Sequence, residues 1–105
     1  MKKIALITGA TSGIGEACAR RFADGGYDLI ITGRRAEKLA AIKEDIEAQG
    51  TKVKTLTFDV RDADAAEAAI NSLEPEWRNL DVLINNAGLA LGLDKEFEGD
   101  PVDWN

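Results

Sequence analysis

Apolar residues along the chain follow two alternating patterns. Four short segments are continuously apolar or alternate apolar with polar residues, as expected of parallel strands in a covered sheet. These segments are 4–7, 27–32, 52–58 and 81–85. Between these segments, apolar residues recur every three or four positions, as on one face of a helix. The pattern therefore predicts four strands that alternate with three helices.

The first predicted helix follows a glycine-rich turn and ends before Gly25. Its apolar residues recur at helical spacing and should face the sheet: Ile14, Ala17, Cys18, Ala19, Phe22 and Ala23. The second helix is predicted over 36–49, with one apolar stripe and a charged outer face. The third is short and rich in alanine, and it runs from an N-cap at Asp62 to Leu73.

The order βαβαβαβ indicates an α/β fold, a Rossmann-like parallel sheet with helices on both faces. Right-handed crossovers give strand order 3-2-1-4, with helices one and two on one face and helix three on the other. The strand order reverses between strands one and four, which creates a crevice. Residues 100–103 (DPVD) resemble a helix start, with Asp100 as N-cap and Pro101 at the first position.

Composition excludes several classes of function. The 105 residues carry 13 basic and 19 acidic side chains, a net charge of −6, which disfavours nucleic acid or an anionic membrane as a partner. There is no histidine, and the single cysteine, Cys18, is expected in the core. No cluster with metal-ligand spacing is present, so no metal is expected. The amino-terminal segment lacks the apolar length of a signal peptide, and we expect a cytoplasmic protein.

The turn between the first strand and the first helix has the features of a phosphate-binding loop. Gly9 can make a tight exit from the strand, Gly13 allows the backbone to approach a pyrophosphate, and Gly15 allows the helix to pack on the sheet. The helix amino end and free amides then face the anion. The other residues of the turn would supply amides, hydroxyls and shape: Ala10, Thr11, Ser12 and Ile14.

Two motifs together resemble those of one family. Residues 8–15 (TGATSGIG) resemble the TGxxxGxG cofactor motif of the short-chain dehydrogenases/reductases, and 85–88 (NNAG) resemble that family's NNAG motif in the same order. The similarity extends over essentially the whole chain. Residues 72–77 and 85–92 further resemble the NADP-dependent 3-hydroxy acid (serine) dehydrogenases. The resemblance implies a nicotinamide dinucleotide as ligand.

The resemblance also assigns roles beyond the glycine turn. Asn85 would hold neighbouring strands together, while Asn86, Ala87 and Gly88 approach the ribose and the route to the nicotinamide. After strand three, Asp59 and Val60 would border the adenine ring. The alternative for both segments is that they are ordinary turn residues at strand ends.

Arg34 and Arg35 decide which dinucleotide is expected. Arg34 follows strand two, 19 residues after Gly15, where a reader of the 2′-hydroxyl is usually acidic. A guanidinium forms paired bonds with a 2′-phosphate, so the residue favours NADP(H) as cofactor. The alternative is two solvated arginines in a loop. We expect Glu37 and Lys38, which follow, to be exposed helix residues rather than cofactor contacts.

The family's hydride transfer uses a serine, a Tyr-x-x-x-Lys pair and a further asparagine, all downstream of NNAG. None of these is present here, and the single tyrosine, Tyr27, has Ile31 four residues later. We therefore predict no catalytic residues, and interpret the chain as the incomplete N-terminal, NADP(H)-binding part of an oxidoreductase acting on a small hydroxy acid or carbonyl compound. The alternatives are a stand-alone binding module, or a fragment that self-associates through the unpaired edge of strand four.

Overall fold

A computed structural model describes residues 3–59, 62–86 and 100–103, with side chains for the first two ranges. The strands are β1 (Ile4–Thr8), β2 (Asp28–Gly33), β3 (Val53–Thr57), β4 (Val82–Asn85) and β5 (Asp100–Asp103). The helices are α1 (Gly13–Asp24), α2 (Ala36–Glu47) and α3 (Ala63–Asn71), followed by a 3₁₀ turn, Pro75–Trp77. Each predicted strand and helix is present, with ends that differ from the prediction by at most two residues.

The strands form one parallel sheet in the order β3-β2-β1-β4-β5. The predicted order 3-2-1-4 is therefore confirmed. β1 is central, with Leu6 in register with Ile30 of β2 and Leu83 of β4. Its five residues are all buried, as the continuous apolar run predicts.

Two apolar cores lie on opposite faces of the sheet. On one face, Ala19 and Ala23 of α1 and Leu39 of α2 pack with alternate residues of the strands. On the other face, Ala66 of α3 packs with Leu80 and with the strand residues of opposite orientation. The helices therefore cover the two faces as predicted, and the sheet lies between them.

The prediction of a helix start at Asp100 is wrong. Residues Asp100–Asp103 form β5, which pairs in parallel with β4 from Val82 to Asn85. The residue before a proline is driven to extended backbone, and an N-cap is extended too, so the local pattern suits both structures. Proline is compatible with an edge strand because one side of such a strand needs no ladder donor. The expected open edge of β4 is likewise wrong, since β5 covers it.

The apolar stripe of α1 is narrower than the sequence predicts. Gly15, Ala19 and Ala23 are buried, whereas Ala17 is exposed and Ile14 retains 58% of its accessible surface. Ile14 belongs to the first helical turn, at the carboxyl edge of the sheet. Its side chain is therefore exposed and does not join the core.

Candidate functional site

The glycine turn after β1 is shaped by two backbone constraints. Gly9 has φ +65°, a conformation that side chains other than glycine rarely adopt. A Cβ on Gly15 would overlap the Gly9 carbonyl oxygen and lie 2.9 Å from the Ala10 Cα. Gly15 thus allows the start of α1 to pack closely, against the turn that leaves β1. A Cβ on Gly13, by contrast, would meet nothing within 4 Å.

The backbone amides of the turn divide into those used within the fold and those left over. The Ala10 amide donates to the Thr32 carbonyl at 2.9 Å, and the Ser12 amide donates to the Gly9 carbonyl at 3.1 Å. Within the described residues, three amides have no acceptor: those of Thr11, Gly13 and Ile14. The expected amide contribution of Ala10 is thus committed to β2, and three other donors of the motif remain available to an anion.

Ser12 and Asn86 lock the turn to the end of β4. The Ser12 hydroxyl donates to the Gly9 carbonyl at 2.9 Å and accepts from the Gly15 amide at 3.1 Å, which makes it the side-chain N-cap of α1. The Asn86 amide nitrogen donates to the Ser12 Oγ at 2.8 Å and to the Gly9 carbonyl at 3.1 Å. A hydroxyl has one donor and two acceptor sites, so the Ser12 Oγ is fully used.

Asn85 joins the two central strands. It lies opposite Thr8 in the register of β1 and β4. The Thr8 hydroxyl donates to the Asn85 Oδ1 at 3.0 Å. This contact adds a side-chain bond to the pairing of β1 and β4 at the residue that precedes the glycine turn.

A cationic segment at the end of β2 faces the glycine turn across an open cleft of about 440 Å³. The cleft is lined by residues from three strand ends: Gly9, Thr11, Ser12, Gly33, Arg34, Arg35, Lys38 and Asn86. A larger residue at Gly33 would crowd the Thr11 side chain, which lies 2.9 Å from where a Cβ would be. The three cationic side chains are exposed and have no hydrogen-bond or ion-pair partner within the described residues.

The structure brings six of the predicted site residues to this cleft: Gly9, Thr11, Ser12, Arg34, Arg35 and Asn86. Asp59 lies just beyond β3 and does not line it, although the Phe58 amide bonds to the Gly33 carbonyl at 3.0 Å and holds the two strand ends together. Val60, Ala87 and Gly88 lie outside the described residues.

Sequence reasoning did not select Lys38. It is exposed, as expected for a helix residue, yet it lines the cleft beside Arg34 and Arg35. The available signal is its spacing, because Lys38 is four residues after Arg34 and three after Arg35, a separation that places side chains on the same side of a helical turn.

The single tyrosine of the chain lies away from this cleft. Tyr27 lies at the amino end of β2, opposite the cleft, and packs edge-on against Phe22 with ring centroids 4.9 Å apart. Among the described residues, no group of three or more histidine, cysteine, aspartate or glutamate side chains is arranged to hold a metal ion. None of the helices described is long and apolar enough to cross a membrane.

The parallel sheet, the glycine turn after β1 and the crevice between β1 and β4 define a Rossmann-like α/β domain. The chain belongs to the short chain dehydrogenase family, whose model matches residues 3–105.

Individual proteins of this family show how far the similarity extends. The chain is 48% identical over 101 residues to the NADP-dependent 3-hydroxy acid dehydrogenase of Salmonella typhi, covering 96% of the chain and 40% of that protein. It is also 48% identical over 105 residues to sulfoacetaldehyde reductase 2 of Chromohalobacter salexigens, covering 100% of the chain and 41% of that protein.

A solved structure, the closed form of serine dehydrogenase complexed with NADP⁺, superposes with a TM-score of 0.70 at 42% identity, covering 77% of this chain and 32% of that one. The chain thus spans about two fifths of the length of the curated relatives it matches.

Proposed function

We propose that this chain binds NADP(H) in the cleft between the glycine turn and the end of β2. The free amides of Thr11, Gly13 and Ile14 would receive the pyrophosphate, and Arg34 with Arg35 would receive the 2′-phosphate. The single observation that carries the proposal is the meeting of the glycine turn and the two arginines at one cleft.

The residues present fit such a ligand in shape and charge. Open space above Gly13 allows phosphate oxygens to reach its amide, and the volume of about 440 Å³ falls in the range of roughly 300–1,000 Å³ usual for small-molecule sites. The chain carries a net charge of −6, so the cationic side chains at the cleft are a local exception. An aspartate or glutamate at position 34 would repel a 2′-phosphate, and arginine does not.

We further propose that the cleft serves an oxidoreductase acting on a small hydroxy acid or carbonyl compound. Bound there, the nicotinamide supplies or accepts a hydride. The two relatives are named for different substrates, one for a 3-hydroxy acid and the other for sulfoacetaldehyde, which supports a small polar substrate class. We predict that these 105 residues alone are inactive, because the family's serine and Tyr-x-x-x-Lys are not among them.

A cytoplasmic location also stays a prediction.

The proposal is tested by titrating the chain with NADPH and with NADH, which differ only in the 2′-phosphate. The wild-type chain should bind NADPH more tightly than NADH. Arg34→Ala should weaken NADPH binding by about 10- to 100-fold, the effect of losing a charge-assisted hydrogen bond worth roughly 1.5–3 kcal/mol. NADH binding should change little.

Arg21→Ala is the matched control, because Arg21 is an exposed arginine of α1 outside the cleft. It removes the same charge and should leave both affinities unchanged. Equal affinity of the wild-type chain for the two dinucleotides, or binding of neither, would contradict the proposal.

A further inference from the structure

We infer that Lys38 is a third cationic contact for the 2′-phosphate and so helps to determine NADP(H) specificity. The inference rests on the proposed function and assigns to that site a residue outside the motifs. Three observations support it: the position of Lys38 in the cleft, the unusual start of α2 and the contrast with other charged residues on the same helix.

Lys38 reaches the cleft from the first turn of α2. It lines the same cleft as Arg34 and Arg35, four and three residues after them respectively, so the three cations converge from the end of β2 and the start of α2. Its ammonium group has no partner among the described residues. A cluster of three unpaired cations repels itself, and a dianionic phosphate monoester relieves that repulsion.

The start of α2 has no side-chain cap, and its first turn carries the cation Lys38 beside the acidic Glu37. Ser12 caps α1 and Asp62 caps α3 with a bond to the Ala65 amide at 3.0 Å, whereas the N-cap of α2 is Arg35, which makes no side-chain cap bond. Cations near this end oppose the helix dipole, which favours anions there. Arg35 and Lys38 are thus unfavourable for the isolated helix and favourable once an anion lies between them.

The amides of this first turn add donors of the right kind. Ala36, Glu37 and Lys38 begin α2, and their amides have no acceptor within the described residues. Phosphate oxygens at the cleft would satisfy such donors. Glu37, the acidic neighbour, does not line the cleft, so the helix directs its basic side chain to the site and its acidic side chain elsewhere.

The test measures NADPH and NADH affinities of the chain with Lys38→Ala, Lys38→Arg and Lys43→Ala. Lys43 is the matched control because it is a lysine of α2 that does not line the cleft. We expect Lys38→Ala to weaken NADPH binding by about threefold to tenfold, as for a partly solvated charge pair. NADH binding should be unchanged, Lys38→Arg should retain most of the preference, and Lys43→Ala should alter neither affinity.

Three outcomes would overturn the inference, and they are distinguishable. If the wild-type chain prefers NADPH and Lys38→Ala keeps the full preference, the inference fails and the proposed function stands. If Lys38→Ala weakens NADPH and NADH equally, or Lys43→Ala has the same effect, Lys38 acts through general charge or folding and not through the 2′-phosphate. If the wild-type chain shows no preference, the proposed function fails and the inference fails with it.

Discussion

The two sides of the cleft are built in opposite ways. On one side, the glycine turn is held by hydrogen bonds among Gly9, Ser12 and Asn86, and its backbone has little freedom. On the other side, Arg34 and Lys38 extend into solvent without partners among the described residues. One side is arranged before any ligand binds, and the other is arranged by the ligand.

The difference separates two contributions to affinity. A preorganised turn loses little conformational entropy on binding, so its amides contribute through geometry. Long cationic side chains lose rotamer freedom of up to about 2 kcal/mol each when they are fixed, and their contribution depends on charge and on salt. We therefore expect the turn to be sensitive to steric change and the cationic side to be sensitive to charge.

The largest expected effect is that of Gly15→Ala on stability. The added methyl would overlap the Gly9 carbonyl and crowd Ala10, so the strand and helix must separate. We expect a loss of about 1–3 kcal/mol in the free energy of unfolding, as for other overpacked sites. Urea denaturation of the chain measures it.

Gly13→Ala is the matched control, since the same methyl meets nothing within 4 Å. Its stability should stay within about 0.5 kcal/mol of the wild type, while NADPH affinity falls about tenfold or more because the methyl occupies the approach to the amide. Equal stability losses in the two variants would show that the turn is not preorganised in the way described.

Asn86→Ala should have an intermediate effect. It removes the two bonds that join the end of β4 to the glycine turn, at 2.8 and 3.1 Å. Partly exposed hydrogen bonds of this kind contribute roughly 0.5–1.5 kcal/mol each, so we expect a loss of about 1 kcal/mol or more. NADPH binding should weaken as well, because the turn becomes less fixed. Urea denaturation and NADPH titration report the two effects.

Asn86→Asp tests whether the hydrogen-bond donor of Asn86, and not its size, holds the turn. The side chain keeps its size but replaces the donor by a charged acceptor facing the Gly9 carbonyl, and it should destabilise at least as much as alanine. If both variants match the wild type in stability and in affinity, the bonds from Asn86 to the turn contribute nothing to the free energy of folding or of binding.

The smallest expected effect calibrates what an exposed charge contributes in this protein. Lys54 donates to Glu74 at 3.1 Å, and this bond lowers the pKa of the Glu74 carboxyl. A pKa lower in the folded state gives stability that is present above the unfolded pKa and is lost as the pH falls through the folded pKa. Since Glu74 is exposed to solvent, the change should be small.

NMR titration of the Glu74 carboxyl in the wild type and in Lys54→Met measures this effect. The titration midpoint should rise in the variant, with little change in melting temperature. A large loss of stability in Lys54→Met would mean that exposed charges matter more here than the comparison between the two sides of the cleft assumes.

The fold was predictable because each level of the sequence agrees with the others. The continuous apolar run of 4–7 places β1 at the centre, and the stripe of Leu39, Ile42 and Ile46 directs α2 to one face. The strand at Asp100–Asp103 was not predictable, because an extended residue before proline begins both helices and strands. Pairing with β4 decides between the two, and pairing is a long-range property.

The site was predictable where a single residue type meets a backbone requirement, as at Gly9 and Gly15. It was not predictable where side chains choose between partners. Nothing in the sequence shows that Asn86 bonds to the Ser12 hydroxyl, or that Ala10 commits its amide to β2. The orientation of Lys38 toward the cleft also depends on how α2 packs on the sheet.

The division of the turn amides into used and unused donors has a consequence for hydrogen exchange. The Ala10 amide, bonded to the Thr32 carbonyl in a buried setting, should exchange with solvent deuterium only when the fold opens. The amides of Thr11, Gly13 and Ile14 should exchange freely in the same molecule. A bound phosphate that accepts from these three amides would slow their exchange, so they would report ligand occupancy in the unmodified chain. The neighbouring Ala10 amide would serve as the internal standard.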